Sequence, residues 1–324
     1  MKMTRKNFTP LRWLAVAALL AGGSQVLNCH AAGNVSAMRL AHAEQTPLVA
    51  VTHAGDNLVA VGDHGIVVRM DGRNWRQAAT VPVDTLLTAV TFVDAQNGWA
   101  VGHGGVLLHT RDGGENWTLQ QRLEGEPVLL SVWFGDTRHG IVTGAYGYAS
   151  ETHDGGQSWQ RLNVSADGDD YHLNQIFPGP QGSLFIAAEK GTAYRSRDNG
   201  SSWESLDTGA SGSLWSGTVL RDERVVLVGM SGRVLVSADN GDSWHEVDSH
   251  SRESITAVTQ LKDGRVALVG NGGLVSIANA GTQRFHTEIR TDRQNLAALA
   301  SADDGSLMVF GAVGVATQDL VSFK

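Results

Sequence analysis

Residues 98–117, GWAVGHGGVLLHTRDGGENW, decide the fold, because versions of this stretch return about every forty residues to the C-terminus. It holds an apolar run at Trp99 and Val101, a G-x-x-G turn at Gly102 and Gly105, and a second apolar run over 106–108. A T-x-D-x-G-x-N-W box at 110–117 closes it. Two strands, two turns and an anchoring tryptophan make a hairpin-based module. The G-x-x-G turn recurs at Gly62/Gly65, Gly144/Gly147, Ala188/Gly191, Gly229/Gly232, Gly270/Gly273 and Gly311/Gly314, which makes seven copies spaced 40 to 44 residues apart. The box is complete four times, at 110–117, 152–159, 196–203 and 237–244. Worn copies end at Trp75 and Phe285, and Thr317 with Asp319 marks a candidate seventh.

Each repeat carries short apolar runs in the same order, as at 48–51, 58–61 and 66–70 before Trp75, and again at 87–92, 99–101 and 106–109 before Trp117. Turns rich in Gly, Asp and Asn separate them. Four short strands per repeat predict an all-β, seven-bladed β-propeller of four-stranded blades over residues 46–324. A ring lets every sheet pack on two neighbours, which an open stack denies its end blades. Residues 33–45 lie outside the repeat, and the sequence leaves open whether they are a loose lead-in or a strand that closes the ring.

Composition agrees. With 39 Gly, 6 Pro and 42% hydrophobic residues the chain has the material for one large β domain with a core of its own. Residues 1–32 predict an export signal: Lys2, Arg5, Lys6 and Arg12 precede the apolar run 13–21, and small residues suited to cleavage fall within 23–32. An exported, periplasmic or lumenal protein is expected. Cys29 is the sole cysteine, so no intrachain disulfide forms, and Asn28 before it makes a poor lipoprotein signal. No lipid anchor is expected. The formal charge of −8 becomes more negative once the four cations of the signal are removed, which argues against nucleic acid as a partner.

In the boxes, Asp112, Asp154, Asp198 and Asp239 are placed to accept backbone N–H groups of their own turn, and the glycine two residues on is free to take positive φ. Trp117, Trp159, Trp203 and Trp244 cover the turns with apolar surface. The boxes are therefore read as turn locks. One carboxylate per box is far short of the six or more oxygens that Ca2+ wants.

These residues carry a resemblance. The T-x-D-x-G-x-N-W boxes resemble those of the BNR or Asp-box propellers, a motif shared by sialidases, sortilin-like receptors and other secreted proteins. The fuller pattern, with G-x-x-G turns in every blade over about 46–320, resembles the photosystem II stability and assembly factor family, whose domain also occurs in non-photosynthetic bacteria. The resemblance implies a non-enzymatic, lumenal scaffold that binds a membrane-protein assembly intermediate, partly through an arginine-rich patch. For this chain it implies a membrane-protein complex or envelope protein, transporter- or photosystem-like, as partner; a monomer and no cofactor are expected. The patch does not carry over residue by residue, although Arg outnumbers Lys by 20 to 5. Arg73, Arg76, Arg122, Arg161, Arg195 and Arg197 fall near outer strands or box turns and read as solvated surface.

The turns between second and third strands are expected to gather around one mouth of the central channel. That places Asp63, His64, His103, Tyr146, Glu189, Lys190, Ser231 and Asn271 as candidate binding residues, with the acidic loop 167–171 on the same side. His64 and His103 form a pair without a third metal ligand, so no metal site is predicted. No catalytic residue is assigned. The alternative is a sialidase-like or other glycoside hydrolase, for which Tyr146 and Glu189 are the best candidates. No arginine occupies a G-x-x-G turn to support that chemistry.

Overall fold

The computed structural model describes residues 35–279, 281–302 and 304–323. They form seven antiparallel sheets, each a meander in chain order. The first strands are Leu48–Ala54, Leu87–Phe92, Leu129–Phe134, Leu173–Pro178, Leu214–Val219, Ile255–Gln260 and Leu296–Ser301. Each neighbours the next, and that of blade seven returns to that of blade one, so the ring is closed. The expected signal at 1–32 lies outside the described residues.

The second strands show why the sequence has uninterrupted apolar runs instead of alternation. Asn57–Gly62 sends Leu58 and Ala60 into the cluster shared with blade seven, and Val59 and Val61 into the cluster shared with blade two. Both faces are buried, so both alternating sets of side chains must be apolar. The core is accordingly divided into seven clusters, one in each gap between adjacent blades.

Six sheets have four strands and the seventh has three. After Gly314–Gln318 the chain turns into the short 3-10 segment Val321–Phe323, where Phe323 is buried against blade six. The described residues of the lead-in, 35–45, contribute no strand. Its backbone is tied to the end of blade one, with Ala37 N–H donating to Val81 O at 2.9 Å and Leu40 N–H to Gln77 Oε1 at 2.9 Å. It then makes a 3-10 turn, Ala43–Gln45, and buries Ala43 between blades seven and one.

That turn closes the ring by imitating a connector. In four blades a β-carbon on the second glycine of the G-x-x-G turn would crowd the carbonyl four residues ahead of the next blade's first strand: Gly65 meets Val83 O, Gly147 Asp169 O, Gly191 Ala210 O and Gly232 Ser251 O. Gly314 meets Glu44 O, four residues ahead of Leu48. The lead-in therefore occupies the place of a chain arriving from blade seven.

The complete boxes are locked as the sequence predicts, with one partner added. Asp112 Oδ1 accepts Asn116 N–H at 2.9 Å, and Gly114 has φ +87°. The hydroxyl of Thr110 donates to Asp112 Oδ1 at 2.9 Å while accepting Gly114 N–H at 3.1 Å. Thr152, Ser196 and Ser237 repeat this. Trp117, Trp159 and Trp203 each donate an indole N–H to the carbonyl of that glycine, at 3.0 to 3.1 Å. Trp244 Nε1 is buried without a partner.

Candidate functional site

The mouth of the channel is built from an irregularity repeated in all seven blades. Leu48 pairs with Gly62 and Ala50 with Val61, so Val49 is left out of the ladder as a β-bulge. Thr88, Leu130, Asn174, Trp215, Thr256 and Ala297 are bypassed in the same way. A bulge bends its strand and re-aims the unpaired side chain. All seven line a cavity of about 480 Å3 at one end of the channel.

The G-x-x-G turn sets this up. The carbonyl just ahead of the inner strand crosses so close to the first glycine that any β-carbon there would overlap it, as Gly102 shows with Leu86 O. The following amide caps the same carbonyl: His103 N–H reaches Leu86 O at 3.0 Å, Met230 N–H Ser213 O at 3.0 Å and Asn271 N–H Ser254 O at 2.9 Å. In blade four Ala188 replaces the glycine, and a side chain makes the link, with Glu189 Oε2 accepting His172 N–H at 2.9 Å.

The polar bulge residues are used for cohesion. Thr88 Oγ1 donates to Leu129 O at 2.7 Å, Asn174 Nδ2 to Leu214 O at 2.8 Å and Thr256 Oγ1 to Leu296 O at 2.7 Å, each joining its blade to the next. Val49, Leu130, Trp215 and Ala297 alternate with them and give the mouth its apolar character, with Trp215 the largest surface among them.

Of the eight residues expected at the mouth, only Asn271 lines it. Asp63, His64, His103, Tyr146, Glu189, Lys190 and Ser231 lie on the same face but one strand further out, because their turn joins the second strand to the third. His64, Tyr146, Lys190 and Ser231 hold left-handed backbone there, with φ between +50° and +58°. His64 Nδ1 pairs with Asp84 Oδ1 at 2.9 Å, which, with Asp63 and Asp84 charge nearby, raises its pKa.

Tyr146 and Glu189 are joined through His172. The Tyr146 ring lies 4.9 Å from that of His172, whose Nδ1 is 2.9 Å from Glu189 Oε2. Lys190 Nζ sits 4.5 Å over the Tyr171 ring. The His172 backbone N–H is the main reason the Glu189 carboxyl is held below the usual range, with the His172 side chain adding to it. This patch between blades three and four is thus a paired surface.

Sequence reasoning missed the bulge residues. Their types share nothing, but their setting does: LVAV, LTAV, LLSV, LNQI, LWSG, ITAV and LAAL place a variable residue between a fixed Leu or Ile and a small or polar one. Arg195 is a correction. It is 2% exposed rather than solvated, with Nε on Glu204 Oε1 at 2.8 Å and Nη2 on Asp242 Oδ1 at 2.7 Å.

The family model described as "Photosynthesis system II assembly factor YCF48" matches residues 67–316. The chain belongs to this family. A search of curated protein sequences found no match. Among solved structures, "YCF48 bound to D1 peptide" is 18% identical with a TM-score of 0.69, over 84% of this chain and 92% of that one. YCF48 from Cyanidioschyzon merolae is likewise 18% identical, with a TM-score of 0.66 over 84% of this chain and 94% of its own. A streptogramin B lyase is 11% identical with a TM-score of 0.73, over 86% of this chain and 96% of its own. At such identities these structures share the fold. An assembly factor and a lyase on one scaffold leave function to the site.

Proposed function

We propose that this protein is an exported, monomeric, non-enzymatic scaffold that grips a peptide segment of an envelope membrane-protein complex at the channel mouth. The observation that carries the reading is the ring of bulges: its polar members are spent on neighbouring carbonyls, which leaves apolar side chains, Trp215 foremost, as the groups free to bind. Buried aromatic anchors of this kind carry most of the energy of protein interfaces. Family membership supports it, as does the family structure that holds a peptide. Export rests on the N-terminal sequence. No helix among the described residues is long and apolar enough to cross a membrane.

Glycoside hydrolysis is the weaker reading. It requires a carboxylic acid kept protonated to serve the leaving group. Glu189, the candidate, is pushed the opposite way by its hydrogen bonds to His172. The test pairs capture of a partner from solubilised membranes of the native host with a panel of chromogenic glycosides. The wild-type chain captures a specific membrane protein, Trp215→Glu loses it, and neither turns over a glycoside. Turnover abolished by Glu189→Gln would instead establish the hydrolase.

A further inference from the structure

On the opposite face, the edge of blade three carries a constellation that the scaffold reading does not use. Its second and third strands, Gly140–Gly144 and Ala149–Thr152, pair Gly140 with Thr152 and Ile141 with Glu151. Continued one step outward, that register sets His139 opposite His153. Paired residues of an antiparallel ladder share a face, and that face alternates every second residue. His139, Glu151 and His153 therefore stand together beside Ile141, which packs toward blade four.

The side chains converge as the register requires. His139 Nε2 is 2.8 Å from Glu151 Oε1, and His153 Nε2 is 3.4 Å from Glu151 Oε2. The two imidazoles stack at 5.0 Å with 9° between their planes. One ligand atom from each residue falls within 4.8 Å of the others. Two imidazole nitrogens and a carboxylate oxygen around tetrahedral zinc lie roughly 3.3 Å apart at ordinary bond lengths, so little movement is needed.

From this we infer that His139, Glu151 and His153 form a site for a divalent transition-metal ion of the Zn2+ type. Imidazole selects such ions over Mg2+ and Ca2+. The repeat supplies the same three positions in other blades and fills them otherwise, with Asn57, Arg69 and Asp71 in blade one and Asn97, His109 and Arg111 in blade two. Blade three has three ligands there.

The surroundings are those of a held ligand set. His139 is 12% exposed and Glu151 17%, while His153 is 69% exposed on the open side. A cavity of about 340 Å3 adjoins them, lined also by Asp136, Asp198 and Asn199, and gives an ion its way in and room for a water as fourth ligand. Asp136 Oδ1 accepts the His139 backbone N–H at 2.8 Å, and the Trp133 ring meets the His139 ring edge-on at 5.4 Å. Asn199, on the box turn of blade four, places its amide 3.0 Å from His139 Nδ1. With that amide turned over, its oxygen accepts the Nδ1 proton, the outer contact that orients a metal-bound histidine.

The test is calorimetric titration of the chelator-stripped, untagged full chain with Zn2+, with Co2+ absorption as a second readout. Wild type takes one ion per chain at this site, and Co2+ gives the intense visible bands of a four-coordinate centre. His153→Ala and Glu151→Gln weaken Zn2+ binding at least about tenfold, and Asn199→Ala by about tenfold through the outer contact. His103→Ala and Cys29→Ser leave it unchanged, and circular dichroism confirms that all variants are folded. Wild type that takes up no Zn2+, or uptake that His153→Ala and Glu151→Gln leave untouched, overturns the inference.

Discussion

The two faces of the ring are built by different means. On the mouth face, backbone fits against backbone: glycines let the connecting chain cross in contact, and the arrangement extends through blade seven, where residues 44 and 45 stand in for a connector. On the other face the corners are held by side chains, in the hydroxyl, carboxylate and indole set of the boxes, complete only in blades two to five. Blades one, six and seven do without it. The contrast teaches that ring geometry depends on the turn contacts, present in every blade with Ala188 the one replacement of a first glycine, whereas boxes are local reinforcement. It also explains why the mouth is suited to binding, since bulge residues take no part in strand pairing and are free to differ from blade to blade.

The largest effect that would break this contrast concerns Gly314. It has φ +88°, and a β-carbon there would strike Glu44 O and lie 2.6 Å from Gln45 Cα. Gly314→Ala combines backbone strain with loss of the closing contact and is expected to cost more than about 3 kcal/mol. Gly72→Ala, at φ +62° with nothing within 4 Å, bears the conformational term alone, about 1 kcal/mol. Chemical denaturation of both variants checks this, and equal losses would remove the distinction.

Acid sharpens the comparison next. His109, 7% exposed and stacked on Trp99 at 4.7 Å, has its pKa pushed down to about 4, chiefly by burial and then by the Arg111 charge. In the unfolded chain it takes a proton near its ordinary value of about 6.5, so stability is full above that value. It falls as pH drops toward 4, by on the order of 3 kcal/mol. The Asp154 and Asp239 carboxyls, held at about 2 mainly by the Ser158 and Ser243 hydroxyls, add a second loss as pH falls from about 4 to 2. Thermal melts across this range should show two stages. His109→Leu flattens the upper one and Asp239→Asn weakens the lower; the reverse assignment would contradict the account.

A smaller effect separates boxes that look alike. Trp117→Phe loses the indole bond to Gly114 O, whereas Trp244→Phe loses none, because Trp244 Nε1 has no partner. The first should cost about 1 kcal/mol more than the second by denaturation midpoint. No difference would mean that the indole bond contributes nothing.

Much of the fold was legible because its determinants are local and repeated: glycines at fixed offsets, apolar runs, and a tryptophan after each box. Ring closure was not legible, since it joins Gly314 to Glu44 and Gln45 through backbone contact that no side-chain pattern announces. The sequence points to the turns between second and third strands, whereas the cavity is lined by the first strands, so Asp63 and His64 lie one strand further out, because which strand borders the channel is a property of the assembled ring. Arg195 looked like surface for a similar reason: its partners Asn240 and Asp242 belong to the next blade, about 45 residues away. His139 and His153 carried no motif because strand register alone brings them together.

The most direct test of the scaffold account is the hydrogen-exchange footprint of the captured membrane protein on this chain. Protection over residues 47–50, 128–131 and 213–216, at the rim of the mouth, is the predicted result. Protection confined to the box turns at 111–116, 154–158 and 239–243, with the rim exchanging as in the free protein, would contradict it.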